Sequence, residues 1–77
     1  MSYSVDTVAL KKLLIDKGID SNTAFAEKSG VGRDTISGIL KGTIRPSTAV
    51  MDKIIIALEL EPAAAGLIFF KPNLRNT

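Results

Sequence analysis

The 77-residue sequence predicts an all-α fold of five short helices, and three observations carry that prediction. Apolar residues recur at helical spacing in successive segments, and a Gly, Ser, Asp or Pro suited to a helix end bounds each segment. No stretch alternates apolar and polar residues cleanly between turn pairs such as Asn-Gly. Ile54-Ile55-Ile56 is β-branched, but it lies inside a helical pattern running on to Leu60.

Val5, Val8, Ala9, Leu10, Leu13 and Leu14 place the first helix over residues 5–17, with Ser4 or Asp6 at its start and Gly18 after its end. Asp20 and Ser21 offer capping oxygens for a second helix from Asn22 to Ser29, which turns Phe25 and Ala26 inward and ends at Gly30. Ile36, Ile39 and Leu40, at i, i+3 and i+4, predict a third helix from Arg33 to Leu40 that stops at Gly42. Its other face carries Arg33, Asp34, Ser37, Gly38 and Lys41. After Pro46, Ser47 caps a fourth helix in which Val50, Met51, Ile54, Ile55 and Leu58 repeat helically as far as Leu60. Pro62 suits the first turn of a fifth, which ends near Phe69, before Lys71-Pro72. The expected organisation is one domain over residues 1–70 and a flexible C-terminal tail over residues 71–77.

Composition narrows the chemistry. The chain has no His and no Cys, so it lacks a His-based acid or base, a Cys nucleophile and a Cys/His metal site. An enzyme, a metal and a cofactor are therefore not expected. The absence of cysteine also fits a reducing cytoplasm. The longest apolar run, Ala63 to Phe70, is far short of the roughly 18 to 20 residues of a membrane span. No basic segment leads into an apolar one at the N-terminus, so the expectation is a cytoplasmic chain without a membrane partner. Ten Lys and Arg oppose eight Asp and Glu, too small an excess to name a partner by itself. Residues 22–45 hold Lys28, Arg33, Lys41 and Arg45 against Glu27 and Asp34, whereas residues 46–70 hold only Lys53 against Asp52, Glu59 and Glu61. The positive charge of the folded body is thus concentrated in the second and third helices and the loop after them.

That same segment has a steric pattern for two short helices crossing steeply: small Ala26 where they meet, Gly30 in the turn, and Ile36 and Ile39 filling the angle against the core. With Gly18-Ile19 before it, Gly42-Thr-Ile-Arg45-Pro46 after it and a following helix Thr48 to Leu60, the sequence resembles the Cro/repressor-type helix-turn-helix proteins, also called xenobiotic-response-element-like, from Leu10 to about Leu60. The resemblance implies a five-helix, lambda-repressor-like DNA-binding domain with helices 2 and 3 as the helix-turn-helix. Helix 3 would then lie in the major groove, braced by helix 2.

Carried over by position, the resemblance implies DNA contact by Asn22 and Thr23 at the start of helix 2. It also implies contact by Gly32, Arg33, Asp34 and Ser37 on helix 3, and by Lys41, Thr43 and Arg45 in the loop after it. Arg33 has the donor fork for guanine O6 and N7, Asp34 can accept from cytosine N4, and the loop residues suit phosphates. Each also has a plainer reading: Arg33 and Asp34 as a first-turn pair, Lys41 and Arg45 as a solvated loop, and Asn22 as a helix-start residue. The chain departs from the family pattern at Asn22, where Gln is usual, at Leu14, where a basic residue is common, and at Gly38, which offers no atoms for reading bases.

Leu67-Ile68-Phe69-Phe70 presents more apolar surface than one small core accommodates. Leu67, Phe69 and Phe70 are candidates for a dimer or partner contact; the alternative is that Leu67 and Phe70 plug the end of the core. Two functions follow. One is a small sequence-specific transcriptional regulator, a Cro-like repressor of phage or mobile-element type, binding a double-stranded operator as a homodimer. The other is a modulator or antirepressor that engages a partner repressor protein through the same scaffold.

Overall fold

A computed structural model describes residues 2–73 as five helices and one short β-ribbon. β1 (Ser2–Ser4) leads into α1 (Thr7–Asp16), α2 (Asn22–Ser29), α3 (Arg33–Lys41), α4 (Thr48–Leu58) and α5 (Pro62–Phe69), and β2 (Lys71–Asn73) completes the order. Local chemistry accounts for the helix starts. The Asp6 carboxylate accepts from the Ala9 N–H at 3.0 Å, the Ser21 hydroxyl from Ala24 at 3.0 Å and the Ser47 hydroxyl from Val50 at 3.2 Å. Pro62 opens α5, where its missing N–H would have had no helical partner.

Two helix boundaries differ from expectation by two residues: α1 begins at Thr7 rather than at residue 5, and α4 ends at Leu58 rather than Leu60. Glu59 takes φ 55° and ψ 47°, the Leu60 N–H returns to the Ile55 carbonyl at 3.0 Å, and the Glu59 N–H reaches Ile56 at 3.2 Å. Glycine is the usual residue for this left-handed closure. Leu60 still packs against the core, so the apolar pattern runs past the point where the helix stops.

The ribbon is an addition to the expected helices. Lys71–Asn73, expected as the start of a flexible tail, pairs antiparallel with Ser2–Ser4, setting Tyr3 opposite Pro72 and Ser4 opposite Lys71. The rest of that expected tail, residues 74–77, lies outside the described residues. The pairing depends on tertiary structure: α1 packs against α5, and the Asp6 N–H donates to the Ile68 carbonyl at 2.7 Å, which brings the two flanking segments side by side. Three-residue strands, one of them containing Pro72, leave no local pattern to read.

All five helices contribute to one core. Leu10 and Leu14 of α1, Phe25 of α2, Ile36 and Ile39 of α3, Ile54 and Leu58 of α4 and Ile68 and Phe69 of α5 are buried in a single cluster. Between α2 and α3 the chain turns at Gly30, whose φ of 75° suits a residue without a Cβ and whose N–H bonds the Ala26 carbonyl at 2.8 Å. Buried Ser29 secures this corner: its hydroxyl donates to the Phe25 carbonyl at 2.8 Å and accepts from the Val31 N–H at 3.3 Å. The corner fixes how α3 projects from the body.

Candidate nucleic-acid interface

α3 is two-sided. Ile36, Ile39 and Leu40 are buried, while Arg33, Asp34 and Lys41 are exposed and Ser37 is half-buried. Asp34, Ser37 and Lys41 fall at i, i+3 and i+7, so they form one stripe along the outer surface. Gly32 precedes the helix and, having no side chain, leaves it without a capping side chain. From Arg33 to Lys41 the helix rises about 12 Å, which separates two groups of candidate residues.

The first group joins the starts of α2 and α3. The Arg33 guanidinium donates from Nη1 to Thr23 Oγ1 at 3.4 Å, a contact ten residues apart in sequence. Thr23, Gly32, Arg33 and Asp34 are all exposed, as is Asn22 at the first position of α2. The hydrogen bond is long and at the surface, so it orients the guanidinium without holding it tightly. A fork of N–H donors therefore stands at the solvent-facing corner where the two helices start.

The second group lies at the other end of α3. Lys41, Thr43 and Arg45 are exposed around Gly42, which takes φ 82° and turns the chain back. The loop folds onto the helix it leaves: the Thr43 and Ile44 N–H groups donate to the Gly38 carbonyl at 2.9 and 3.1 Å, and the Thr43 hydroxyl donates to the same oxygen at 3.3 Å. Gly38 itself is buried. The sequence pattern places Gly38 one turn along the exposed face beside Ser37; in the structure Ile44 covers it. Ile44 is the residue sequence reasoning passed over. Its one signal is an isolated apolar residue within the polar loop Gly42 to Arg45, six positions after a helical glycine.

The C-terminal candidates divide. Leu67 is 75% exposed and Phe70 51% exposed, so neither plugs the core. Phe69, at 2% exposed, is in the core and cannot form a surface contact. It takes the buried place because it lies one residue after Ile68 on the inward side of α5, which turns Leu67 and Phe70 outward. Beside Leu67, a groove between α1 and α5 is lined by Ala9, Leu13, Leu60 and Ala64, with Lys12 and Asp16 also on its walls. Phe70 meets Tyr3 of the ribbon edge-on, with ring centres 6.2 Å apart and planes at 81°.

A short bracing helix, a glycine turn and a second helix with a polar outer face define a helix-turn-helix DNA-binding domain. The family model of the Cro/C1-type HTH DNA-binding domain matches residues 9–63, and the chain belongs to that family, whose members are not enzymes. Neither a curated protein nor a solved structure gives a match. The family match takes in α2, α3 and the loop after α3; it stops at the second residue of α5, before Leu67 and Phe70. No helix among the described residues is long and apolar enough to cross a membrane.

Proposed function

We propose that the chain is a sequence-specific transcriptional regulator that reads an operator in the major groove with α3 and works in the cytoplasm. The observation that carries this reading is the two-ended polar face of α3, with Arg33 beside Thr23 at one end and Lys41, Thr43 and Arg45 at the other. In this reading Arg33 pairs with guanine and Asp34 accepts from cytosine, while Ser37 lies over the base edges. Asn22, Thr23 and the Gly32 end of α3 contact backbone or base edges at the same corner, and Lys41, Thr43 and Arg45 grip phosphates. Two copies paired through the surface around Leu67 and Phe70 would set two recognition helices against successive major grooves, about one DNA turn apart. The exposed apolar side chains beside the α1/α5 groove support that pairing.

The same exposed surface favours a second reading, in which a partner repressor takes the place of the second copy and the chain modulates repression. The reading face supports it too, since the part of α3 assigned to base edges offers one cation, Arg33, and one anion, Asp34, which are few determinants for a tight binder. Titration of the purified chain against duplex DNA flanking its own gene, repeated over a range of salt, separates the two. Binding with a preferred site and a steep log-log salt slope supports the regulator. Binding that arises only with a co-encoded repressor overturns it in favour of the modulator.

A further inference from the structure

We propose that Gly38 is a positioning residue for DNA binding: its missing side chain seats Ile44, and the seated Ile44 holds the loop between α3 and α4 where Thr43 and Arg45 can meet the phosphate backbone. This rests on the DNA-binding reading above and adds a residue with no contact to DNA of its own.

Gly38 does not serve the backbone. It lies inside α3 without a positive φ, unlike Gly42, whose φ of 82° favours glycine and beside which a Cβ would meet nothing within 4 Å. What Gly38 supplies is space. A Cβ there would stand 2.5 Å from Ile44 Cγ1 and 3.0 Å from Ile44 Cβ, against the roughly 3.5 to 4.0 Å of ordinary carbon contacts. Because Ile44 Cβ is bonded to the main chain, rotating the side chain cannot relieve the whole clash. The loop backbone must shift.

The hydrogen bonds pull the other way. Three donors from Thr43 and Ile44 converge on the Gly38 carbonyl, so the loop is drawn onto the helix at the point where a side chain would push it off. Thr43 supplies two of those donors, and Arg45 follows Ile44 directly. Displaced, the loop has room beside it, because Tyr3, Ser4 and Val5 form the far wall of an open groove whose near wall is Gly42 to Arg45. Glycine normally weakens a helix interior. Here it joins the recognition helix and the phosphate loop into one rigid unit.

The test compares Gly38→Ala, Ile44→Ala and the double variant in the full chain, by amide hydrogen exchange and by titration with a preferred duplex over a range of salt. Alanine favours the helix, so Gly38→Ala should keep its helical circular dichroism. It should also lose at least about tenfold of the exchange protection at Thr43 and Ile44 that reports their hydrogen bonds. The salt slope should fall by about 0.9 for each phosphate that the displaced loop no longer reaches, while the base preferred opposite Arg33 is unchanged. In the double variant the severe contacts with Cγ1 and Cδ1 are gone, and only the 3.0 Å contact with the Cβ of residue 44 remains. A shift of a few tenths of an ångström relieves it, so slope and protection should return most of the way to the level of Ile44→Ala alone. Unchanged protection and slope in Gly38→Ala overturn the proposal, as does a defect that Ile44→Ala fails to relieve. If Gly38→Ala does not fold, a folded double variant with the Ile44→Ala slope supports the proposal, and an unfolded one overturns it. If the unsubstituted chain binds no DNA, the positioning role falls with the DNA-binding reading, and the exchange data then show separately whether the loop is latched.

Discussion

Lys41→Ala removes a cation from the far end of α3 and should weaken binding to all sequences alike. Lys41 is exposed, whereas the neighbouring Ile39 and Leu40 are buried, so the substitution leaves the core intact and should change stability by no more than about 0.5 kcal/mol. Each chain offers two cations at this end, Lys41 and Arg45, so a dimer would neutralise about four phosphates and show a log-log salt slope of about −3.6. A fourfold rise in salt then weakens binding by about 150-fold. Without Lys41 the slope halves to about −1.8, and the same rise in salt costs only about 12-fold. Arg33→Ala should behave differently, because its hydrogen bond to Thr23 is exposed and 3.4 Å long, so its removal barely affects the fold. It should cost about 1 to 3 kcal/mol per half-site, about 5- to 160-fold, and flatten the preference at one base pair. Fluorescence anisotropy with a labelled preferred duplex and single-base variants, at several salt concentrations, measures both. Equal small losses from the two substitutions on every duplex would refute the assignment of Arg33 to bases and Lys41 to phosphates.

Three further outcomes test the rest of the structure. Leu67→Asp places a charge on a side chain already 75% exposed, so it should leave the thermal midpoint nearly unchanged while converting a dimer to monomer in sedimentation; an unaltered mass would exclude this surface from the interface. Phe25→Ala empties a fully buried position in α2 and should cost about 3 to 5 kcal/mol, a large share of the roughly 4 to 12 kcal/mol expected for a chain of this size; a small shift in the urea midpoint would contradict the core described. Glu59→Gly relieves a left-handed residue at the end of α4 and should raise stability by about 0.5 to 1 kcal/mol, or several degrees in thermal midpoint; a loss of stability would show that the Glu59 side chain makes a contact outweighing its backbone.

The helices were legible in sequence because each has its own local signals: Ser21 and Ser47 cap as expected, and Gly30 and Gly42 close helices as expected. What escaped depends on contacts between distant residues. The ribbon exists because α1 and α5 bring Ser2–Ser4 and Lys71–Asn73 together, and neither segment carries a strand signal alone. Glu59 closes α4 although its type does not favour that conformation, so only the backbone shows the end. At the candidate site the residue types and their order were readable, but three placements were not. Gly38 lies under Ile44, Phe69 is inside the core, and Arg33 is hydrogen-bonded to Thr23. Each depends on which way a side chain turns, and an apolar run such as Leu67 to Phe70 reads the same whichever member faces inward.

The most direct test of α3 as a recognition helix is enrichment of bound duplexes from a random pool by the purified chain, followed by titration of the enriched sequence against a scrambled one. The expected result is a two-fold symmetric motif bound at least about a thousandfold more tightly than the scrambled duplex at physiological salt. Its half-sites should lie about one helical turn apart, and Arg33→Ala should relax one position in each. Failure to enrich any motif, or equal binding of enriched and scrambled duplexes, would contradict a recognition role for α3.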